Sequence, residues 1–273
     1  MTKLVQLADI HFGAESQHAL DATRAMLDVL KPDAVVVCGD LTQRGKRSEF
    51  ADSLAWMKSL GVPFMAVEGN HDTPLLNIYE RVAGAFDRYD EHFSDWSGTL
   101  DSGHTKVVGL NTSRGWQVRK NWAEGSVNLD DLEAAIAEVE AADITHGILL
   151  CHHPFLSPPE APLRTATRRG TRANNRLARS KIDLLLTGHV HAPSVVRQTG
   201  HNGDGAYLSV TAGTLSVRIR SDPPSFNLIE LSDEDIRITA FMLHGESFQP
   251  RETEIWKTGS LEPVSTRHMK AKL

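Results

Sequence analysis

Five short polar clusters carry the residue types that do chemistry: Asp9 with His11, Asp40, Asn70 with His71, His152 with His153, and His189 with His191. Taken singly, a histidine in such a position is more often a hydrogen-bonded structural residue than a ligand, and an aspartate more often a cap. Together they offer two carboxylates, several imidazoles and an amide oxygen, with no paired cysteines. That borderline-hard nitrogen and oxygen set suits iron, manganese, zinc or cobalt better than calcium or magnesium. Asp9, His11, Asp40, Asn70, His152, His189 and His191 exceed what one ion takes unless a residue is shared. A carboxylate bridging two ions ~3.5–4 Å apart resolves the excess and makes a hydrolytic two-metal site, with Asp40 as the natural bridge.

Each cluster ends a short apolar run, so the elements that must position the clusters can be read from the runs. Residues 3–8 read as a strand that delivers Asp9-Ile10-His11, and residues 34–38 as a β-branched strand ending in Gly39-Asp40. Residues 62–67 form a third, broken by Glu68-Gly69 before Asn70-His71-Asp72, where Gly-Asn is also turn chemistry. Between them Leu20, Leu27 and Leu30 recur at helical spacing until Lys31-Pro32-Asp33, and Phe50, Leu54 and Met57 mark a helix over residues 48–60 that Gly61 stops. Two consecutive strand-helix-strand units imply a parallel sheet with right-handed crossovers, so the clusters converge on one sheet edge. Helical hints follow in residues 75–88. Further strands are expected at residues 106–110, 145–151 and 182–186, ending in Asn111-Thr112-Ser113-Arg114, His152-His153-Pro154 and Thr187-Gly188-His189-Val190-His191. Asn128 caps a helix with Leu132, Ile136 and Val139 inward, Asp131 at the reciprocal capping position and Val127 spaced to staple Leu132. Segments 207–212, 225–231, 236–243 and 252–256 alternate without intervening helices, which predicts a second, antiparallel sheet packed on the first. Residues 266–273 read as a polar, basic, frayed tail. With no repeat and no low-complexity tract, residues 1–273 read as a single domain.

The 273 residues, 40% hydrophobic, can supply a sizeable core. The N-terminus lacks a signal peptide's basic and apolar regions, and no apolar run approaches the ~18 residues of a membrane span, so a cytoplasmic location is expected. Cys38 and Cys151 each end an apolar run and read as buried free thiols. A net charge of -6 argues against a stable nucleic-acid partner but conceals an asymmetry. Residues 121–163 contain no Lys or Arg, whereas residues 161–182 contain no Asp or Glu but hold Arg164, Arg168, Arg169, Arg172, Arg176, Arg179 and Lys181. Arg169, Arg172, Arg176 and Arg179 form one helical stripe. Two readings stand level: a solvated helix face, or a wall between His152 and His189 where Arg172 and Arg176 attract anionic substrate and residues 164–181 touch an anionic membrane surface. Arg114 reads as a phosphate contact or a turn residue, and Trp116 and Trp122 as packing residues or base-stacking platforms. A homodimer is left open. His92, His104, His201, His244 and His268 fall outside the converging strand ends and read as surface or structural.

Asp9-x-His11, Gly39-Asp40-Leu41-Thr42-Gln43-Arg44-Gly45, Gly69-Asn70-His71-Asp72, His152 and Gly188-His189-Val190-His191 resemble, in order and spacing, the five motifs of calcineurin-like metallophosphoesterases. The resemblance spans residues 9–191, about two thirds of the chain. The Gly-Asp-Leu-Thr form, His152-His153-Pro154 and the compact size are most similar to the bacterial class III cyclic-nucleotide phosphodiesterases. The resemblance implies an α/β fold, a four-layer αββα sandwich with two central mixed β-sheets. It implies two transition-metal ions (Mn, Fe or Zn), one on Asp9, His11 and His191, the other on Asn70, His152 and His189, with Asp40 between them. A bridging hydroxide would attack phosphorus, His71 would face the substrate and assist the leaving group, and Asp72 would orient His71 through its other ring nitrogen. His153 follows a ligand and reads as its support, a substrate contact or a space-filler.

Departures narrow the choice. Gln43 stands where purple acid phosphatases carry the iron-binding Tyr, and Leu41-Thr42-Gln43 does not match the aromatic and acidic continuation usual in UDP-sugar lipid pyrophosphatases. The superfamily's nucleases append a capping domain for which 273 residues leave no room. The expectation is therefore a phosphodiesterase acting on a small anionic phosphoester, cyclic nucleotide first. A phosphodiesterase or pyrophosphatase for a lipid or nucleotide-sugar substrate is the alternative. A non-catalytic metal-binding scaffold would be expected to lose ligands, and none is missing.

Overall fold

A computed structural model describes residues 1–75, 77–116, 121–159, 161–162 and 165–267; Arg164 and residues 268–273 lie outside the described residues. The first three apolar runs become β1 (Thr2–Leu7), β2 (Ala34–Val37) and β3 (Phe64–Ala66), which pair in parallel. Two helices, α1 (Gln17–Leu30) and α2 (Arg47–Ser59), make the crossovers. The Ser16 hydroxyl caps α1 by accepting from the Ala19 N–H, and Lys31 closes it in a left-handed turn.

The chain continues through α3 (Ile78–Ala83), α4 (Asp87–Phe93), β4 (Thr99–Ser102), β5 (Thr105–Gly109), α5 (Leu129–Glu140), β6 (His146–Leu150), α6 (Gly170–Leu177), β7 (Ile182–Thr187), β8 (Ser194–Thr199) and β9 (Ala206–Thr211). It ends in β10 (Ser225–Leu231), β11 (Asp235–His244), β12 (Ser247–Lys257) and β13 (Pro263–Arg267). Two mixed sheets result, one ordered β13-β12-β11-β10-β1-β2-β3 and the other β4-β5-β6-β7-β9-β8.

Alternating burial on the strands assigns the layers. Val5 and Leu7 of β1 pack with Leu20, Leu27 and Phe50 of the two crossover helices, whereas Leu4 and Ala8 face Leu184, Leu186, Leu208 and Val210 of the second sheet. On the far side Leu149 and Leu185 pack under Leu132, Ile136 and Leu177 of α5 and α6. The four-layer sandwich expected from the motifs is the architecture found.

The pairing of the C-terminal strands differs from expectation. β9 runs parallel to β7 inside the second sheet, while β10 to β13 extend the first sheet in antiparallel fashion. Alternation reports a half-buried strand but not its partner, so periodicity could not assign these segments to a sheet. Thr266 and Arg267, expected in a frayed tail, pair with Glu254 and Thr253 in β13. Among the described residues no helix is long and apolar enough to cross a membrane.

Gln6 joins the two sheets. Fully buried on β1, it donates from Nε2 to the carbonyls of Thr187 (3.0 Å) and Val210 (3.1 Å) and accepts from Asn227 Nδ2 (3.0 Å). Removing the amide strands several buried polar groups at once. Gln6→Ala is expected to lower the unfolding free energy by about 2–4 kcal/mol, read from the denaturant midpoint at unchanged m-value; a loss indistinguishable from zero would show that the amide does not join the sheets.

Candidate metal centre

The ligand candidates stand where strands end and the backbone turns sharply. Asp9, His11, Asp40, His189 and His191 all have left-handed φ, between 52° and 70°. Each such non-glycine residue costs of the order of 1–3 kcal/mol and persists only where its surroundings over-determine it. Here the bracing is mutual between motifs: Asp9 N–H donates to the Gly39 carbonyl (3.1 Å), His11 N–H to that of Asp40 (3.0 Å), and Gly188 N–H to that of His152 (3.0 Å). Gly69 allows the close approach, since a Cβ there would lie 2.1 Å from the Asp40 amide nitrogen.

The side chains form two groups around Asp40. In the first, the Asp9 Oδ1 lies 3.1 Å from His191 Nε2 and 3.8 Å from His11 Nε2. In the second, His152 Nε2 lies 3.1 Å from Asn70 Oδ1 and 3.3 Å from His189 Nδ1. One oxygen, Asp40 Oδ2, is 3.6 Å from His11 Nε2 and 3.5 Å from His152 Nε2. Its partner Oδ1 accepts from the His71 N–H (2.8 Å). Three rings turn their outer nitrogen to a carbonyl: His11 Nδ1 to Thr42, His152 Nδ1 to Cys38, and His191 Nδ1 to Arg218. Each outer nitrogen must carry the proton, which leaves the inner Nε2 with a lone pair, the tautomer a metal requires.

The residues fit a metal pair. Asp9 Oδ1 and His11 Nε2 are fully buried with no hydrogen-bond partner, an arrangement costly unless an electron-pair acceptor sits between them. Asp9, His11 and His191 present ligand atoms within 4.8 Å of one another, as do Asp9, Asp40 and His152.

Electrostatics point the same way at Asp9, His11, Asp40 and His189, but not at His191, which Asp9 and the Arg218 carbonyl raise against its burial. Burial pushes His11 down to about 3, outweighing Asp40 and Asp9, so its ring is neutral. Burial also holds His189 well below its usual range, reinforced by His153 and His152. For Asp9 burial alone would raise the carboxyl, but His191, His152 and His11 overcome it and keep the group ionised. Asp40 is likewise lowered against its burial by His152, His71 and His11. Ionised carboxylates and neutral imidazoles are the ligand forms.

Around this centre several expectations are corrected. Asp72 does not orient His71. Its carboxylate accepts from the N–H groups of Leu41 (3.1 Å), Thr42 (2.8 Å) and Gly69 (2.8 Å) and from the Thr42 hydroxyl (2.9 Å), clamping two motif loops together. Burial and Asp40 nevertheless push it up to about 6. The outer nitrogen of His71 instead faces the Gln43 carbonyl (2.8 Å). His153 has no ring nitrogen to spare for substrate, since Nδ1 meets the Thr112 hydroxyl (3.0 Å) and Nε2 the Ala123 carbonyl (2.9 Å). Its ring packs edge-on against His152 and so supports the centre from behind.

Arg172 and Arg176 line the groove between α5 and α6 with Leu129, Glu133, Ile136 and Glu140, and Arg176 pairs with Glu133 while Arg179 pairs with Asp204. The helical period that aligns these arginines also turns them away from Ala173 and Leu177, which are buried, so the stripe is an outer face, charge-paired at Arg176 and Arg179. Arg114 is half-buried, donates to the neighbouring Ser113 carbonyl (2.8 Å) and lies among Asp131, Arg169 and Glu68. Trp122 stacks on Arg81, with 5.3 Å between guanidinium and ring centre.

Arg218 was not anticipated. Its Nη1 lies 2.9 Å from His71 Nε2 and 3.4 Å from Gln43 Oε1, and its backbone carbonyl is the one that holds His191. A signal existed: β9, read as parallel, would have delivered the following residues to the same edge. The segment leading to Arg218 is braced by the Thr214 hydroxyl, which donates to the Asp9 carbonyl (2.6 Å).

Residues 2–193 match the sequence model of a family described as calcineurin-like phosphoesterase, a stretch that contains all seven ligand candidates but not Arg218. A protein of Arcobacter nitrofigilis named probable glycerophosphodiester phosphodiesterase GpdQ is 24% identical over 70% of this chain and 72% of its own length. The DNA double-strand break repair protein Mre11 of Haloferax volcanii is 24% identical over 98% of this chain, which spans 58% of that protein. Among solved structures, one titled as the structure of PhoD superposes with a TM-score of 0.72 at 10% identity, covering 99% of this chain and 72% of that one, a likeness of fold.

Two outcomes follow from the corrected roles. Asp72→Ala is expected to lower stability by about 2–4 kcal/mol, because four buried donors lose their acceptor, and to reduce bound metal; intact melting temperature and metal content with a turnover defect alone would restore the orienting role. Arg172→Glu with Arg176→Glu is expected to leave KM for anionic substrates within about twofold, as surface charge pairs contribute little; a KM increase well beyond that would return the stripe to the substrate.

Proposed function

We propose that this chain, which belongs to the calcineurin-like phosphoesterase family, hydrolyses phosphodiesters with two transition-metal ions held by Asp9, His11, Asp40, Asn70, His152, His189 and His191. The observation that carries this reading is the single Asp40 oxygen set 3.6 Å from His11 and 3.5 Å from His152, between two groups of inward-facing ligand atoms. Manganese, iron and zinc all suit the donor set. When bound, such a pair supplies an acidified water and neutralises charge on the phosphoryl oxygens.

The chain's own residues do the rest. Asp9 and Asp40 enter ionised, and Asp72 holds the two loops that carry Asp40 and Asn70 in one register. His71 keeps its outer proton on the Gln43 carbonyl, so Nε2 is the working nitrogen, and Arg218 Nη1 lies 2.9 Å from it. A phosphoryl oxygen is a stronger acceptor for guanidinium than a neutral imidazole. Arriving substrate therefore draws Arg218 onto the phosphoryl group and frees His71 Nε2 to take a proton from solvent and pass it to the leaving oxygen, an effect of about 10²–10⁴-fold in rate.

The relative named as a glycerophosphodiester phosphodiesterase supports a diester substrate. Cyclic nucleotide is the first candidate on the motif resemblance, and a lipid or nucleotide-sugar diester the second. The full ligand set disfavours a non-catalytic scaffold.

Metal-reconstituted protein compared on monoester, linear diester, cyclic nucleotide and pyrophosphate substrates is expected to turn over diesters best. Asp40→Ala should lose both metals and all activity, whereas His71→Ala should keep its metals and lose about 10²–10⁴-fold in kcat. Undiminished turnover by either variant would refute the assignment.

A further inference from the structure

His71 meets one arginine directly and shares a cavity with a second. Arg218 Nη1 reaches its Nε2. A cavity of about 140 Å³ opens among Gln43, Asn70, His71, Thr73, Leu75 and Arg81, so it begins at a proposed metal ligand and ends at α3. Arg81 is only 8% exposed. Its Nε donates to the Gly115 carbonyl (2.7 Å) and its plane lies over Trp122. Among the described residues no carboxylate comes within ion-pair distance of it, and burial, opposed by no counter-charge, lowers its pKa.

Several other arginines make the contrast. Arg88 on α4 is paired with Glu80 on α3, and the exposed Arg47, Arg176, Arg179, Arg237 and Arg251 each have an acidic partner. Arg81, more buried than any of these, has none among the described residues. A buried cation without a counter-ion is destabilising, and a neutral side chain could stack on Trp122 equally well. The charge has a use if an anion enters the cavity.

We infer that this cavity is a subsite for a second anionic group of the substrate, a carboxylate or a phosphate, bound by Arg81 while the scissile phosphoryl group sits at the metal centre. The inference rests on the phosphodiesterase reading and narrows it: the substrates that fit are diesters carrying a further oxyanion on one arm, which places them ahead of cyclic nucleotides, whose only anionic group is the scissile phosphate. Arg218 and Arg81 then divide the work, one for the reacting phosphoryl group and one for its substituent. Leu75, at the half-exposed mouth (49%), is the residue such a group would pass.

Calorimetric titration of the manganese-loaded protein with methylphosphonate, phosphonoacetate and methylenediphosphonate, all in excess manganese, tests this. The three share one phosphonate, and the last two add a carboxylate or a second phosphonate. Wild-type protein is expected to bind at least one of the two larger anions about tenfold or more tighter than methylphosphonate, the size of a charge-assisted hydrogen-bond contribution. Arg81→Gln should reduce that ratio to about twofold or less, and Arg81→Lys should restore part of it. Leu75→Asp, which keeps Arg81 and its packing but supplies a carboxylate at the cavity mouth, should reduce it as well. An absent preference in the wild type, or a ratio unchanged in both Arg81→Gln and Leu75→Asp, overturns the subsite; if Arg81→Gln does not fold, Leu75→Asp alone decides. Because the readout is binding, failure of the protein to cleave any diester would sink the proposed function while leaving the ratio readable.

Discussion

Everything at the centre depends on one carboxylate being shared between two sheets. Asp40 ends a strand of the first sheet, yet one of its oxygens lies as near to His152, from the second sheet, as to His11, from its own. The carboxyl ends of both sheets must therefore open on the same side and at nearly the same height. Gln6 sets that alignment from inside the sandwich, through carbonyls of Thr187 and Val210 that lie one turn or less from the strand ends bearing His189 and the Thr214 brace. A buried amide spanning two sheets is directional where apolar packing is not, so it fixes the sliding position that Leu4, Leu184 and Leu208 leave soft.

The centre is also where the chain accepts strain. Left-handed backbone at Asp9, His11, Asp40, His189 and His191 lets adjacent residues aim at one point, because an extended strand would send alternate side chains to opposite faces. Asp72 is the main compensation. Its four donors come from the loops after β2 and β3, so it converts two independent strand ends into one rigid unit. The same residue is raised towards neutrality by burial and by Asp40, which shows that two carboxylates are held close at some electrostatic cost.

Legibility in the sequence followed the range of the interactions involved. The crossover units were readable because β-branched runs, helical periods and the glycine stops are local, and with them the convergence of Asp9, Asp40 and Asn70. Convergence of His152 and His189 was readable too, although these come from the facing sheet, a difference that strand periodicity does not express. Roles that depend on side-chain direction were not readable. Asp72 follows His71 in sequence and was expected to serve it, but adjacent residues on a tight turn point apart, and Asp72 turns to the backbone instead. The arginine stripe of α6 has the period of a surface, and sequence adjacency to two ligand strands could not reveal that Glu133 and Asp204 were its partners. Arg81 and Arg218 lie in segments with no motif at all, and their significance arises only from tertiary placement.

Metal loading should consequently be coupled to the folded state. Without ions, Asp9 Oδ1 and His11 Nε2 are buried polar atoms with no partner, and five residues hold left-handed backbone around them. Each of these terms disfavours the folded chain, and the bracing between motifs and the histidines around Asp9 offset them only in part. A ligand that binds only the folded state shifts the balance in its favour by mass action. The orphaned atoms and the strained turns then have one explanation: they are the cost of a preformed site whose ligands are already stripped of competing hydrogen bonds and aimed at the positions the ions take. The charge on Arg81, which has no carboxylate partner among the described residues, follows the same logic if the substrate supplies that partner.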